Sequence, residues 1–110
     1  MSRITSHVLD ISIGKPAKDM KVALFFQHEL AWHFIGESST NQDGRIEKIT
    51  TQDLPDGVYK LTFETGSYFK KISEPTFYPS VDIIFRVSAE EHYHVPLLLS
   101  PFGYSTYRGS

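Results

Sequence analysis

The residues most suited to chemistry lie close together near the end of the chain, in His92-Tyr93-His94-Val95. On a strand, positions i and i+2 project to the same side with backbones roughly 7 Å apart, so His92 and His94 would share a face with Pro96 and Leu98, while Tyr93, Val95, Leu97 and Leu99 take the other. Imidazoles in that arrangement can do three things. They can ligate a metal, which would need a third ligand such as His7; they can act as general acid and base near neutral pH; or they can serve as structural hydrogen-bonding groups. Spacing leaves the three open. The chain has no cysteine, which removes thiol nucleophiles, disulfides and cysteine-rich zinc sites, so catalysis here would have to use His, Ser, Tyr, Arg or a carboxylate.

The elements that must position these residues are strands. Short runs rich in Val, Ile, Phe and Tyr recur between turn signals, the pattern of an all-β sandwich or barrel. The first spans about 4–11 and stops at Gly14-Lys15-Pro16; the next are 21–27, with His28 and Glu29 at a turn, and 30–36. His33 lies inside that third run, where a single strand histidine reads as a surface residue. A polar stretch, Thr40-Asn41-Gln42-Asp43-Gly44, carries the strong Asp-Gly turn signal and leads into a short strand at Arg45-Ile46-Glu47. Residues 58–65 alternate Tyr59, Leu61, Phe63 and Thr65 against Val58, Lys60, Thr62 and Glu64. Residues 80–87 bury Val81, Ile83, Phe85 and Val87 on one face. Ser100-Pro101-Phe102-Gly103 turns the chain into a final strand from Tyr104, closing a hairpin.

Size and composition narrow the function. A chain of 110 residues with 40% hydrophobic and 22% charged side chains is a single domain over 1–110, with no linker or repeat dividing it. The net charge of −2 and the scattered basic residues give no footprint for nucleic acid. No apolar segment approaches a membrane span, and Met1-Ser2-Arg3 leads directly into alternating sequence without a secretory apolar region, so the expected location is cytoplasmic. The final Arg108-Gly109-Ser110 is not a peroxisomal Ser-Lys-Leu address.

Three blocks carry a resemblance. His94-Val95-Pro96-Leu97-Leu98-Leu99-Ser100-Pro101-Phe102-Gly103 followed by the terminal Tyr107-Arg108-Gly109-Ser110, Ser6-His7-Val8-Leu9-Asp10 with Gly14-Lys15-Pro16-Ala17, and Thr40 to Arg45 occur in the order found in the 5-hydroxyisourate hydrolases of the transthyretin-related family. The chain resembles that family over nearly its whole length. The resemblance implies an eight-stranded β-sandwich of two four-stranded sheets with a short helix near 66–71. It also implies hydrolysis of 5-hydroxyisourate to 2-oxo-4-hydroxy-4-carboxy-5-ureidoimidazoline in urate breakdown, without cofactor or metal, by a homotetramer built as a dimer of dimers. His7, Arg45 and His94 are the implied catalytic residues, joined in substrate binding by Tyr107, Arg108, Gly109 and Ser110. His92 is outside the set that the resemblance carries over.

Opening a cyclic amide requires an activated water and a partner for the oxyanion. A histidine suits the first task, and the fixed donor fork of Arg45 suits the second. Which histidine is the base stays open, with His94 assisted by His7 favoured because neighbouring imidazoles resist double protonation. Ser110 is a shaping residue rather than a nucleophile, since no Gly-x-Ser-x-Gly elbow presents a serine. The alternatives are a transthyretin-like carrier of a small aromatic ligand and a purely structural sandwich module. A face holding His7 and His94 beside Leu9, Pro96 and Leu98 is too polar for a core and too apolar for open water, which points to a subunit interface.

Overall fold

Two sheets pack face to face in the computed structural model, which describes residues 2–89 and 91–110. In chain order the elements are β1 (Arg3–Asp10), β2 (Lys15–Pro16), β3 (Lys21–His28), β4 (Ala31–Ser39), β5 (Arg45–Ile46), β6 (Gly57–Phe63), α1 (Thr65–Lys71), β7 (Val81–Val87), β8 (His92–Ser100) and β9 (Gly103–Thr106). One sheet has the order β2-β1-β8-β9, with β5 also pairing with β1; the other has the order β4-β3-β6-β7. The all-β sandwich of two sheets with one short helix therefore stands. Each sheet has a path of four strands, and β5 is a ninth strand added as a two-residue ladder.

The core lies where the inward sides of these alternating strands meet. Val22, Leu24, Tyr59, Leu61, Phe63, Val81 and Val87 from one sheet pack against Ile4, Val8, Tyr93, Val95, Leu97 and Leu99 from the other. Burial of that apolar surface is the main drive for the two-layer arrangement. Alternation then forces Thr5, His7, His92, His94 and Leu98 onto the outer side of the first sheet.

Some strand limits differ from those the sequence suggests. The third long strand begins at Ala31, because Glu29 and Leu30 both adopt positive φ in the tight turn that His28 leads into. Lys15-Pro16, a stop signal in the sequence, pairs antiparallel with Leu9 and Asp10. Proline is tolerated there because β2 is the sheet's edge strand. α1 opens at Thr65 and is tied to β1 by Tyr68, whose hydroxyl donates to the buried Asp10 carboxylate at 2.8 Å. Among the described residues, no helix is long and apolar enough to cross a membrane.

Candidate active site

The site is built where β1 and β8 run parallel. Their register sets Thr5 opposite His94 and His7 opposite Pro96, so a residue near the start of the chain meets one near its end. Ser6 points inward and donates to the Val95 carbonyl at 2.7 Å, which fixes the outward direction of its neighbours Thr5 and His7. His7 Nδ1 lies 2.7 Å from His94 Nε2.

Arg45 reaches the same place through the loop before β5. Asn41 Oδ1 accepts from the Asp43 and Arg45 backbone amides at 2.9 and 3.0 Å, an Asx turn that closes the loop on itself. Gly44 takes φ +70, and its carbonyl accepts from the Val8 amide at 2.8 Å. A Cβ at Gly44 would lie 2.5 Å from the Val8 carbonyl oxygen, so no side chain fits. β5 then pairs with β1, with Arg45 directly opposite His7.

The tail closes the other side. Gly109 donates its amide to the His94 carbonyl at 2.7 Å, forming an isolated antiparallel bridge. A recess of about 120 Å³ is left, lined by Thr5, Ser6, Arg45, Ile46, Glu47, His92, His94 and Ser110; His7 adjoins it through His94 rather than lining it. Tyr107 and Arg108 are not brought to it. Both line a separate recess of about 290 Å³ with Ile83, Phe85, Tyr93 and Val95. The Arg108 guanidinium lies 4.4 Å from the Tyr93 ring centroid and donates to Glu91 at 2.7 Å. β9 ends at Thr106 and the tail then folds back until Gly109 bridges to His94, which leaves Tyr107 and Arg108 on the side of Tyr93.

Electrostatics favour neutral imidazoles. Burial, followed by the Arg45 charge, lowers the pKa of His7 below its usual value. That of His94 is lowered by burial, then by His7, Arg45 and His92, with Glu47 acting in the opposite direction. A neutral imidazole at pH 7 is the form a general base needs. Both ring nitrogens of His94 are engaged, Nε2 with His7 and Nδ1 with Thr5 Oγ1 at 2.7 Å. Among the described residues, His7 Nε2 has no protein partner. The rings therefore face one another, and no group of three His, Asp or Glu side chains is arranged to hold a metal among the described residues.

Sequence reasoning left His92 aside and missed Thr5. Thr5 Oγ1 lies 2.7 Å from His92 Nε2 as well as from His94 Nδ1. Only the parallel pairing of β1 with β8 reveals this, because periodicity within one strand says nothing of what lies beside it. His33 sits on the opposite sheet, exposed, with its ring centroid 5.9 Å from that of His28.

Fold and site together describe a β-sandwich that carries ionisable side chains on one sheet face. The model of the HIUase/Transthyretin family matches residues 4–109, and the chain belongs to that family. It is 44% identical over 115 residues to 5-hydroxyisourate hydrolase 2 of Rhizobium meliloti (strain 1021), covering 98% of this chain and 96% of the relative. The solved structure of Klebsiella pneumoniae 5-hydroxyisourate hydrolase superposes with a TM-score of 0.90 at 38% identity, with full coverage of both chains. Sea bream transthyretin in complex with thyroxine superposes with the same TM-score at 29% identity, covering 96% of this chain and 93% of that one.

Proposed function

We propose that this chain hydrolyses 5-hydroxyisourate to 2-oxo-4-hydroxy-4-carboxy-5-ureidoimidazoline, a step of urate breakdown. The observation that carries the reading is the 2.7 Å pair of His7 and His94 opposite Arg45, in a chain 44% identical to a named 5-hydroxyisourate hydrolase. In this reading His7 Nε2, the ring nitrogen without a protein partner, takes a proton from water as the water oxygen bonds to the acyl carbon of the substrate ring. Arg45 donates hydrogen bonds to the carbonyl oxygen as it gains negative charge. The carbon–nitrogen bond then breaks, and the proton held at His7 passes to the departing nitrogen, so hydroxide and proton both end on the product. His94 accepts from His7 Nδ1 and steadies the charge that His7 acquires. Gly109 and Ser110 close the recess, while Tyr107 and Arg108 anchor the tail.

In this reading the activity belongs to a single domain over 1–110, needs no cofactor and is cytoplasmic. It resides in a homotetramer, a dimer of dimers, in which the outer face of the β1-β8 sheet meets its symmetry mate. Half-buried Leu9 and Leu98, paired in register beside the histidines, support that assembly. A carrier without turnover is disfavoured by the ionisable lining of the recess. The test is to mix freshly generated 5-hydroxyisourate with the protein and follow its ultraviolet decay. Decay accelerated in proportion to protein concentration is expected; the spontaneous rate at all protein concentrations would overturn the reading.

A further inference from the structure

Thr5 is 4% exposed, and its hydroxyl stands 2.7 Å from both His92 Nε2 and His94 Nδ1. A hydroxyl has one proton to donate. Its oxygen could accept from both histidines, but the nearly buried Thr5 proton has no other acceptor among the described residues, so it is satisfied only when one histidine accepts from Thr5 while the other donates to it, and the choice propagates through His94 to His7. Two neutral arrangements satisfy every contact and also give the Thr5 proton an acceptor. In the first, His7 Nδ1–H donates to His94 Nε2, His94 Nδ1–H donates to Thr5, and Thr5 donates to His92 Nε2. The second reverses every donor, which places a proton on His7 Nε2 and destroys its capacity as a base.

We propose that Thr5 and His92 are positioning residues that select the first arrangement and thereby keep His7 Nε2 unprotonated toward the substrate. The inference rests on the reading of His7 as general base and extends it to two residues that do not touch the reacting atoms. Its direction follows from the ends of the chain of hydrogen bonds. The cation of Arg45 lies opposite His7, and a positive neighbour favours the arrangement that presents a lone pair rather than an N–H. His92, at the other end, is exposed, so water can accept its Nδ1–H. The charged and titratable groups facing His94 are His7 on β1, Arg45 and Glu47 at β5, and His92 on β8 itself. Gly109 holds the ring from the remaining side: a Cβ there would lie 2.6 Å from His94 Cδ2.

The test compares Thr5→Val, which keeps the branched shape but removes the hydroxyl, with Thr5→Ser, which restores it. Thr5→Val should lower kcat at least about tenfold, the effect of losing one orienting hydrogen bond at the barrier, with KM little changed and Thr5→Ser near wild type. His92→Gln, whose amide oxygen can accept where Nε2 did, should retain activity, whereas His92→Phe should behave like Thr5→Val. Imidazole ¹⁵N spectra of the folded protein without substrate give a second readout: Nε2 of His7 should report an unprotonated nitrogen in wild type and a mixture in Thr5→Val. Wild-type kcat and spectra in Thr5→Val would overturn the proposal, and equal losses in His92→Gln and His92→Phe would overturn the part assigned to His92. If His7→Asn itself keeps full turnover, the underlying reading fails; if His7→Asn is inactive and Thr5→Val normal, this inference alone fails.

Discussion

His7 Nδ1 and His94 Nε2 lie 2.7 Å apart although 87 positions separate them in the chain. The parallel pairing of β1 with β8 makes that contact, and it changes the roles that the sequence suggests. With Nε2 facing His7 and Nδ1 facing Thr5, His94 has no ring nitrogen left for water, so the proposed base moves from His94 to His7.

Removal of either member of the pair, or reversal of the charge beside it, should be severe. His7→Ala, His94→Ala and Arg45→Glu are each expected to reduce turnover by roughly a hundredfold or more, typical of losing a general base or a charge stabiliser. Stopped-flow decay of 5-hydroxyisourate, alongside circular dichroism to confirm folding, checks this. Near-normal turnover in all three would refute the assignment.

The pH profile should carry the mark of depressed imidazole pKa values. Both His7 and His94 titrate below 6.5, so their neutral forms dominate at neutral pH and kcat/KM should fall only on acidification past that lowered value. Folding stability should follow the same sign: the folded state binds fewer protons than the unfolded chain, so these histidines reduce stability progressively as pH drops below 6.5. Glu47 raises the pKa of His94, and Glu47→Gln should therefore move the acid limb to lower pH. A limb that stays in place or moves upward would contradict the role given to Glu47.

Gly109 should tolerate no side chain without a cost to catalysis. A methyl group at this position would meet His94 Cδ2 at 2.6 Å, on a ring whose two nitrogens are already engaged. Gly109→Ala is expected to lower kcat about tenfold or more through displacement of that ring, while the melting temperature changes little because the tail lies outside the core. Unchanged kcat would show that the ring accommodates the methyl.

Turnover should persist after exhaustive chelation. The proposed chemistry assigns proton transfer to His7 and oxyanion stabilisation to Arg45, leaving no task for a metal. Activity lost to chelator and restored by zinc alone would replace this mechanism with metal-activated water.

Assembly should be required for activity. If the outer face of the β1-β8 sheet meets its symmetry mate, sedimentation under increasing dilution should show turnover per chain falling as tetramer is lost. A fully active monomer would defeat the proposal.

Much of this was legible in the residues themselves. Alternation in 58–65, 80–87 and 92–99 set which side chains face the core, because a period of two leaves each strand only one apolar side. The Asp43-Gly44 turn announced that Arg45 would begin a strand, and the Pro101-Phe102 turn announced the final hairpin. Tertiary structure alone decided who meets whom. Local periodicity carries no information about a parallel partner 89 residues away, so Thr5 stayed hidden as the bridge between His92 and His94. It also divided the terminal Tyr107-Arg108-Gly109-Ser110, sending Gly109 and Ser110 to the histidines and Tyr107 and Arg108 to the recess beside Tyr93. Four consecutive residues read as one motif in sequence, but the point at which the tail folds back onto β8, the isolated bridge of Gly109 to His94, sets which recess each of them reaches, and that long-range pairing is not written in the local sequence.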